Sequence, residues 1–195
     1  MKTVYVEGGD FATSNMFEQA GWMEVDDPHA ADLICFTGGA DVSPTLYGET
    51  NTGESHTNVN RDLHCTYLWN IANNFGIPTV GICRGGQFLN VMNGGTMEQH
   101  INGHGMDHAV FINNPNFPAH MQEFHATSTH HQHMVPDLTG IVEDVHGIAQ
   151  DGVNEILLYE DSLCFQPHPE YSGAEECREV FFYLIDRYLM GDDVA

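Results

Sequence analysis

The sequence predicts an α/β fold, a three-layer α/β/α sandwich around a mostly parallel central sheet, and two observations carry the prediction. Strand-like and helix-like stretches alternate up to residue 95. Within them, an apolar run ends in Gly81-Ile82-Cys83-Arg84-Gly85-Gly86-Gln87, a glycine-framed passage from strand into helix. Alternation of this kind argues for parallel strands covered by helices. At 195 residues the chain suffices for one well-packed core and is short for two, so residues 1–195 are read as a single domain.

Thr3 to Val6 reads as the first strand, Ser14 to Ala20 as a short helix, and Ala31 to Phe36 as an apolar strand ending in Thr37-Gly38-Gly39. Residues 40 to 60 are polar and turn-rich, hence a loop. Arg61 to Phe75 places Leu63, Tyr67, Leu68, Ile71 and Phe75 near helical spacing, and Gly76 is a stop signal. Strand 78 to 82 and helix 85 to 93 follow, closed by Asn93-Gly94-Gly95. Beyond residue 95, short β-like pieces at 108 to 112, 141 to 145, 153 to 159 and 162 to 166 predict antiparallel hairpins beside or extending the sheet. Glu175 to Met190 reads as a closing amphipathic helix whose apolar face is Val180, Phe181, Leu184, Ile185, Tyr188 and Leu189.

Five Lys plus Arg stand against 28 Asp plus Glu, a formal charge of −23, which argues against nucleic acid and anionic membrane surfaces as partners. No apolar run approaches the ~20 residues of a membrane span. The N-terminal Met-Lys-Thr-Val-Tyr-Val-Glu lacks the apolar stretch of a secretory leader, so a cytoplasmic location is expected. Cysteines at 35, 65, 83, 164 and 177 form no C-x-x-C pair, and reduced thiols fit best. Among so few cations Arg84 stands out, as an anchor for a carboxylate or as an internal ion-pair partner.

Cys83 sits where strand turns into helix, a G-x-C-x-G version of the nucleophile elbow. A helix N-terminus favours thiolate there. A cysteine nucleophile needs a base, a group that orients the base, and donors for an oxyanion. His168, in Gln166-Pro167-His168-Pro169-Glu170, is the candidate base. Pro169 biases it toward extended backbone, where residues two apart share a side, so Glu170 can lie beside it and fix its tautomer. The backbone N–H of Arg84 is one oxyanion donor, and Gly39 in the Gly38-Gly39 turn is a second candidate.

Cys83 in Gly-Ile-Cys-Arg-Gly, then Gln87, Asn90-Val91, Gly94-Gly95-Thr96, Gln99 and His168-Pro169-Glu170, resembles the class I glutamine amidotransferase-like superfamily. Gly38-Gly39-Ala40-Asp41-Val42-Ser43-Pro44 with Tyr47-Gly48-Glu49, and Ser128-Thr129-His130-His131-Gln132, look like its gamma-glutamyl-gamma-aminobutyrate hydrolase branch. The match spans roughly residues 33 to 190, and several spaced motifs in order weigh more than any lone one. The resemblance implies a flavodoxin-like sheet and a Cys83-His168-Glu170 triad acting on a γ-glutamyl amide through a γ-glutamyl thioester. It also implies Gln87 as a substrate-binding residue, with Gly38 and His131 as further candidates, and neither metal nor organic cofactor. Position 65 is Cys where the branch usually has an acidic residue, and position 167 is Pro where Trp is common.

Glutamine or a γ-glutamyl amide is the implied small-molecule partner. An ammonia-supplying glutaminase subunit serving a separate synthetase is the alternative, and a second copy of the chain is a further partner to consider. A different class, a metal-binding or noncatalytic acidic protein, rests on thirteen histidines. His100, His104 and His108 stand at i, i+4, i+8, and His130, His131 and His133 cluster. Gly103 and Gly105 argue against the helix that would put the first three on one face.

Overall fold

β1 (Thr3–Val6), β3 (Leu33–Phe36), β4 (Thr79–Ile82) and β11 (Ser162–Phe165) lie side by side and parallel in the computed structural model, which describes residues 1–142 and 145–191. β3 and β4 are buried at every position, because helices cover both of their faces. The two-residue β2 (Met23–Glu24) flanks β1. On the other side, β10 (Asn154–Tyr159), β9 (Gly147–Ala149), β6 (His108–Ile112) and β7 (Glu123–Ala126) continue the sheet antiparallel, giving the order β2-β1-β3-β4-β11-β10-β9-β6-β7. The later β pieces thus extend the sheet. A separate ribbon pairs β5 (Thr96–Glu98) with β8 (His133–Val135).

The alternation of side chains along β3 divides the core. Leu33 and Cys35 join a cluster with Met16 and Phe17 of α1 (Phe11–Gln19) and Val180, Phe181 and Leu184 of α4 (Glu175–Leu184). Ile34 and Phe36 face the opposite cluster, with Leu68 and Ile71 of α2 (Val59–Phe75) and Phe88 and Leu89 of α3 (Arg84–Met92). Period-2 alternation in a strand requires this division, and the three layers follow from it.

Several boundaries differ from the sequence reading for identifiable reasons. α1 starts at Phe11, three residues early, because the Asp10 carboxylate accepts the Thr13 N–H at 2.9 Å as an N-cap while Phe11 itself is exposed. α2 starts at Val59, capped by the Asn58 side chain, and its buried face is Asp62, Cys65, Leu68, Ile71 and Ala72. Leu63, Tyr67 and Phe75 point to solvent, so the stripe read from spacing was only partly the core face. α4 passes after Leu184 into a wider turn, Ile185–Leu189, with the Met190 N–H donating to the Ile185 carbonyl. The strand expected at 141–145 is not formed at Ile141 and Val142, and residues 143 and 144 lie outside the described residues. Strands β2, β5, β8 and β9 were missed as too short for a period to register, and β7 because only two of its four residues, Phe124 and Ala126, are apolar.

Candidate active site

Three neighbouring parallel strands end at one edge of the sheet and deliver the expected residues there. β3 runs into Thr37-Gly38-Gly39, β4 into Cys83, and β11 through Gln166 and Pro167 into His168. The Cys83 N–H donates to the Phe165 carbonyl at 2.8 Å, and the His168 N–H to the Thr127 carbonyl at 2.8 Å, which fixes both backbones. The carboxyl edge of parallel strands is where ligands bind in open α/β sheets.

Cys83 has φ 50° and ψ −111°, and it is the one non-glycine residue with positive φ among the described residues. Such backbone is strained and persists only where its surroundings hold it. The surroundings here are glycines: a Cβ on Gly81 would collide with the Gly85 backbone, and one on Gly85 with the Phe36 carbonyl. Cys83 also caps α3, whose first N–H groups, that of Arg84 included, have no carbonyl within the helix to bond.

His168 Nδ1 lies 2.6 Å from Glu170 Oε1, as the two-residue spacing across Pro169 led us to expect. His168 Nε2 lies 3.0 Å from Thr129 Oγ1, and Tyr171 stacks on the ring at 4.4 Å. The imidazole and the Cys83 side chain meet over Gly38, whose added Cβ would lie 3.1 Å from His168 Cε1 and 3.8 Å from Cys83 Cβ. Burial works against the charged imidazole, but the neighbouring Cys83 sulfur and the hydrogen-bonded Glu170 carboxylate outweigh it and push the His168 pKa up to about 10. The ring is therefore a cation at neutral pH, and its charge is lost only as pH rises toward 10. An NMR titration of the His168 ring is expected to give a midpoint near 10, and Glu170→Gln, which removes a carboxylate that favours the cation, is expected to lower it. A wild-type midpoint at or below the ordinary 6.5 contradicts this arrangement.

Gly39 takes φ 135°, a conformation that suits glycine, and a Cβ there would collide with the Arg61 guanidinium. Arg61 donates to the carbonyls of Gly38 at 2.7 Å and Thr37 at 3.0 Å, and it is held by Glu7 at 2.6 Å. Burial would raise the Glu7 carboxyl, yet the Arg61 hydrogen bonds and charge dominate and hold it below the usual range. Sequence reasoning missed Arg61, Glu7, Thr129 and Tyr171. The scarcity of cations could have flagged Arg61, because each of the few arginines in so acidic a chain has carboxylates in excess to pair with.

Gly39, Cys83, Arg84, Gln87, His131 and His168 share the wall of a ≈ 370 Å³ cleft that Asp41 and Tyr171 also line. Gly38 lies beneath Cys83 and His168 and does not share that wall. Gln87 Nε2 donates to Gln166 Oε1 at 3.1 Å, while Gln87 Oε1 is buried with no hydrogen-bond partner among the described residues. His131 Nε2 stands 3.4 Å from Asp41 Oδ2. The Arg84 side chain turns away from the cleft into an ion pair with Asp62 and donates to Cys65 Sγ at 3.0 Å. Of the two roles open to Arg84, the side chain takes the internal pair, and Cys65 lies beneath the site as part of its support. All five cysteines are free and buried, and burial pushes the thiols of Cys35, Cys164 and Cys177 up.

The family model described as Peptidase C26 matches residues 29–170. A candidate glutamine amidotransferase of Mycobacterium tuberculosis is 36% identical over 166 residues, 76% of this chain and 52% of that protein. A candidate glutamine amidotransferase-like protein of Lactococcus lactis is 30% identical over 163 residues, 74% of this chain and 68% of its own length. The chain thus spans about half the length of the mycobacterial relative. The crystal structure of a glutamine amidotransferase from Thermotoga maritima superposes with a TM-score of 0.65 at 15% identity, covering 99% of this chain and 90% of its own, and shares the fold. Among the described residues, no helix is long and apolar enough to cross a membrane.

Proposed function

We propose, because the chain belongs to the peptidase C26 family, that it hydrolyses the amide bond of a γ-glutamyl amide through a γ-glutamyl thioester on Cys83. The observation that carries the reading is the meeting, on the wall of one cleft, of the strained Cys83 with His168, whose ring Glu170 holds from behind at 2.6 Å. Cys83, His168 and Glu170 act as nucleophile, general base and orienting carboxylate.

His168 holds the proton that leaves the Cys83 thiol, and the sulfur attacks the δ-carbonyl. The oxyanion is received by the N–H groups of Arg84 and Gly39. As the C–N bond breaks, His168 gives the proton to the departing nitrogen, and amine or ammonia leaves with the thioester behind it. A water molecule then attacks the thioester, His168 takes its proton, and the sulfur is released with glutamate as product. Proton transfer by a positioned group of this kind is worth ~10²- to 10⁴-fold. The unpaired Gln87 Oε1 is placed to accept an N–H of the glutamyl group, and on the same wall the Asp41 carboxylate can accept from its α-ammonium and a His131 ring N–H can donate to its α-carboxylate.

Amine and ammonia release from a panel of substituted γ-glutamyl amides and from glutamine tests the reading. Release from substituted amides by the chain alone is expected. Turnover of glutamine alone would place it with ammonia-supplying glutaminases that serve a synthetase, and no turnover of either would contradict the proposal.

A further inference from the structure

A second constellation lies behind the cleft wall, built from residues the proposed reaction does not use. His104 Nδ1, His108 Nε2 and His130 Nε2 stand 3.1, 3.0 and 3.2 Å from one atom, Glu155 Oε1. These four ligand atoms lie within 4.8 Å of one another. Glu155 and His130 are almost wholly buried, and Glu155 Oε2 has no hydrogen-bond partner among the described residues.

The outer nitrogens decide what the inner ones can do. His108 Nδ1 meets the Met106 carbonyl at 3.0 Å and His130 Nδ1 the Gln132 carbonyl at 2.8 Å. A carbonyl only accepts, so each of those nitrogens carries its hydrogen. His104 Nε2 is held in the same way by the Asp151 carboxylate at 3.0 Å. With the outer nitrogens so engaged, the inner nitrogen of each ring faces Glu155 Oε1, and one divalent cation among them would take a lone pair from all three rings and from the carboxylate at once. Ligating histidines characteristically give their other N–H to a carboxylate or a carbonyl, and all three rings do so here.

The geometry points to a binding site for one divalent transition metal, Zn²⁺ in the first instance, held by His104, His108, His130 and Glu155. Ligand bonds of about 2.0–2.2 Å in a tetrahedron put neighbouring ligand atoms roughly 3.4 Å apart, close to the three distances to Glu155 Oε1. Imidazole nitrogens with one carboxylate suit zinc over magnesium or calcium. A ≈ 310 Å³ cleft lined by Gly103, His104, His108 and Asp151 gives the ion a way in. The four ligands come from the 101–107 loop, β6, the loop before β8 and β10, so no local sequence motif announces them. His100, grouped with His104 and His108 by spacing, lies instead beside His131 at 5.7 Å.

The ion would fasten the cleft wall. His130 follows Thr129, whose hydroxyl meets His168, and the Glu155 carbonyl receives the Gln166 N–H at 2.8 Å at the exit of β11. The role is structural, and it accommodates the cysteine chemistry instead of replacing it.

The test is calorimetric titration of the chelator-stripped full chain with Zn²⁺, supported by metal analysis of the dialysed product. One equivalent of tight binding is expected. Asp151→Asn, at an exposed position, should weaken it ~10- to 100-fold, as loss of such an outer partner does. His108→Ala should abolish it, and His100→Ala should leave it unchanged. Co²⁺ in place of Zn²⁺ should give the visible bands of a four-coordinate site. Failure of the stripped wild type to take up one equivalent, or wild-type affinity in both Asp151→Asn and His108→Ala, overturns the proposal. Should His108→Ala not fold, the wild-type stoichiometry and Asp151→Asn decide the question alone.

Discussion

Cys83→Ala is expected to lower kcat/KM for the best γ-glutamyl amide by about 10⁴-fold or more, the scale on which removing a covalent nucleophile acts. The sulfur is the atom that bonds to substrate, and no other thiol can stand in for it. Cys35, Cys164 and Cys177 are buried in the two core clusters with their thiols pushed up, and Cys65 is occupied beneath Arg84. The loss should fall on kcat with KM little changed, since Gln87, Asp41 and His131 remain on the cleft. Alanine keeps the Cβ and relieves no clash, so the variant should melt close to wild type. A variant retaining more than about a tenth of the wild-type rate would contradict the assignment.

The largest effect on stability is expected at a residue that touches no substrate. Asp62→Ala should destabilise the chain by about 3–5 kcal/mol, read from chemical denaturation, because it strands the guanidinium of Arg84 without its counter-charge. Arg84 is 1% exposed and Asp62 4%, so water cannot replace the lost carboxylate. Among the described residues the remaining polar partner of that guanidinium is Cys65 Sγ at 3.0 Å, a weak acceptor, and the Phe88 ring at 5.1 Å attracts the cation without supplying a counter-charge. Replacing both members together, Asp62→Leu with Arg84→Met, should recover most of the loss, since buried pairs exchanged for apolar residues of similar volume are often near neutral. A loss under about 1 kcal/mol for Asp62→Ala alone would contradict the account of the pair.

The parallel half of the sheet and the elbow were legible because their signals are local. Four-residue apolar runs, a glycine on either side of Cys83, and a proline between His168 and Glu170 each constrain a few neighbouring dihedrals, and the structure follows them closely. What escaped was set by partners distant in sequence. The direction of the Arg84 side chain depends on Asp62, twenty-two residues away, and the Gly38-Gly39 turn is tied down by Arg61 and Glu7 from two other elements. The apolar stripe on α2 misled because Leu63 and Tyr67 satisfy helical spacing yet face solvent, while the small Cys65 and Ala72 face the core. The histidine spacing misled in the opposite direction. His104, His108 and His130 do converge, on a glutamate that no helix periodicity could have connected to them.

The central claim is that a γ-glutamyl group passes through a bond to the sulfur at position 83, and trapping that bond is its most direct test. Acid quenching during turnover, followed by mass spectrometry of the digested protein, should find a glutamyl adduct on the peptide containing Cys83. The adduct should disappear when the enzyme is left to exhaust its substrate, and Cys83→Ala should never form it. An adduct on another cysteine, or continued hydrolysis by Cys83→Ala with no adduct at all, would contradict the account.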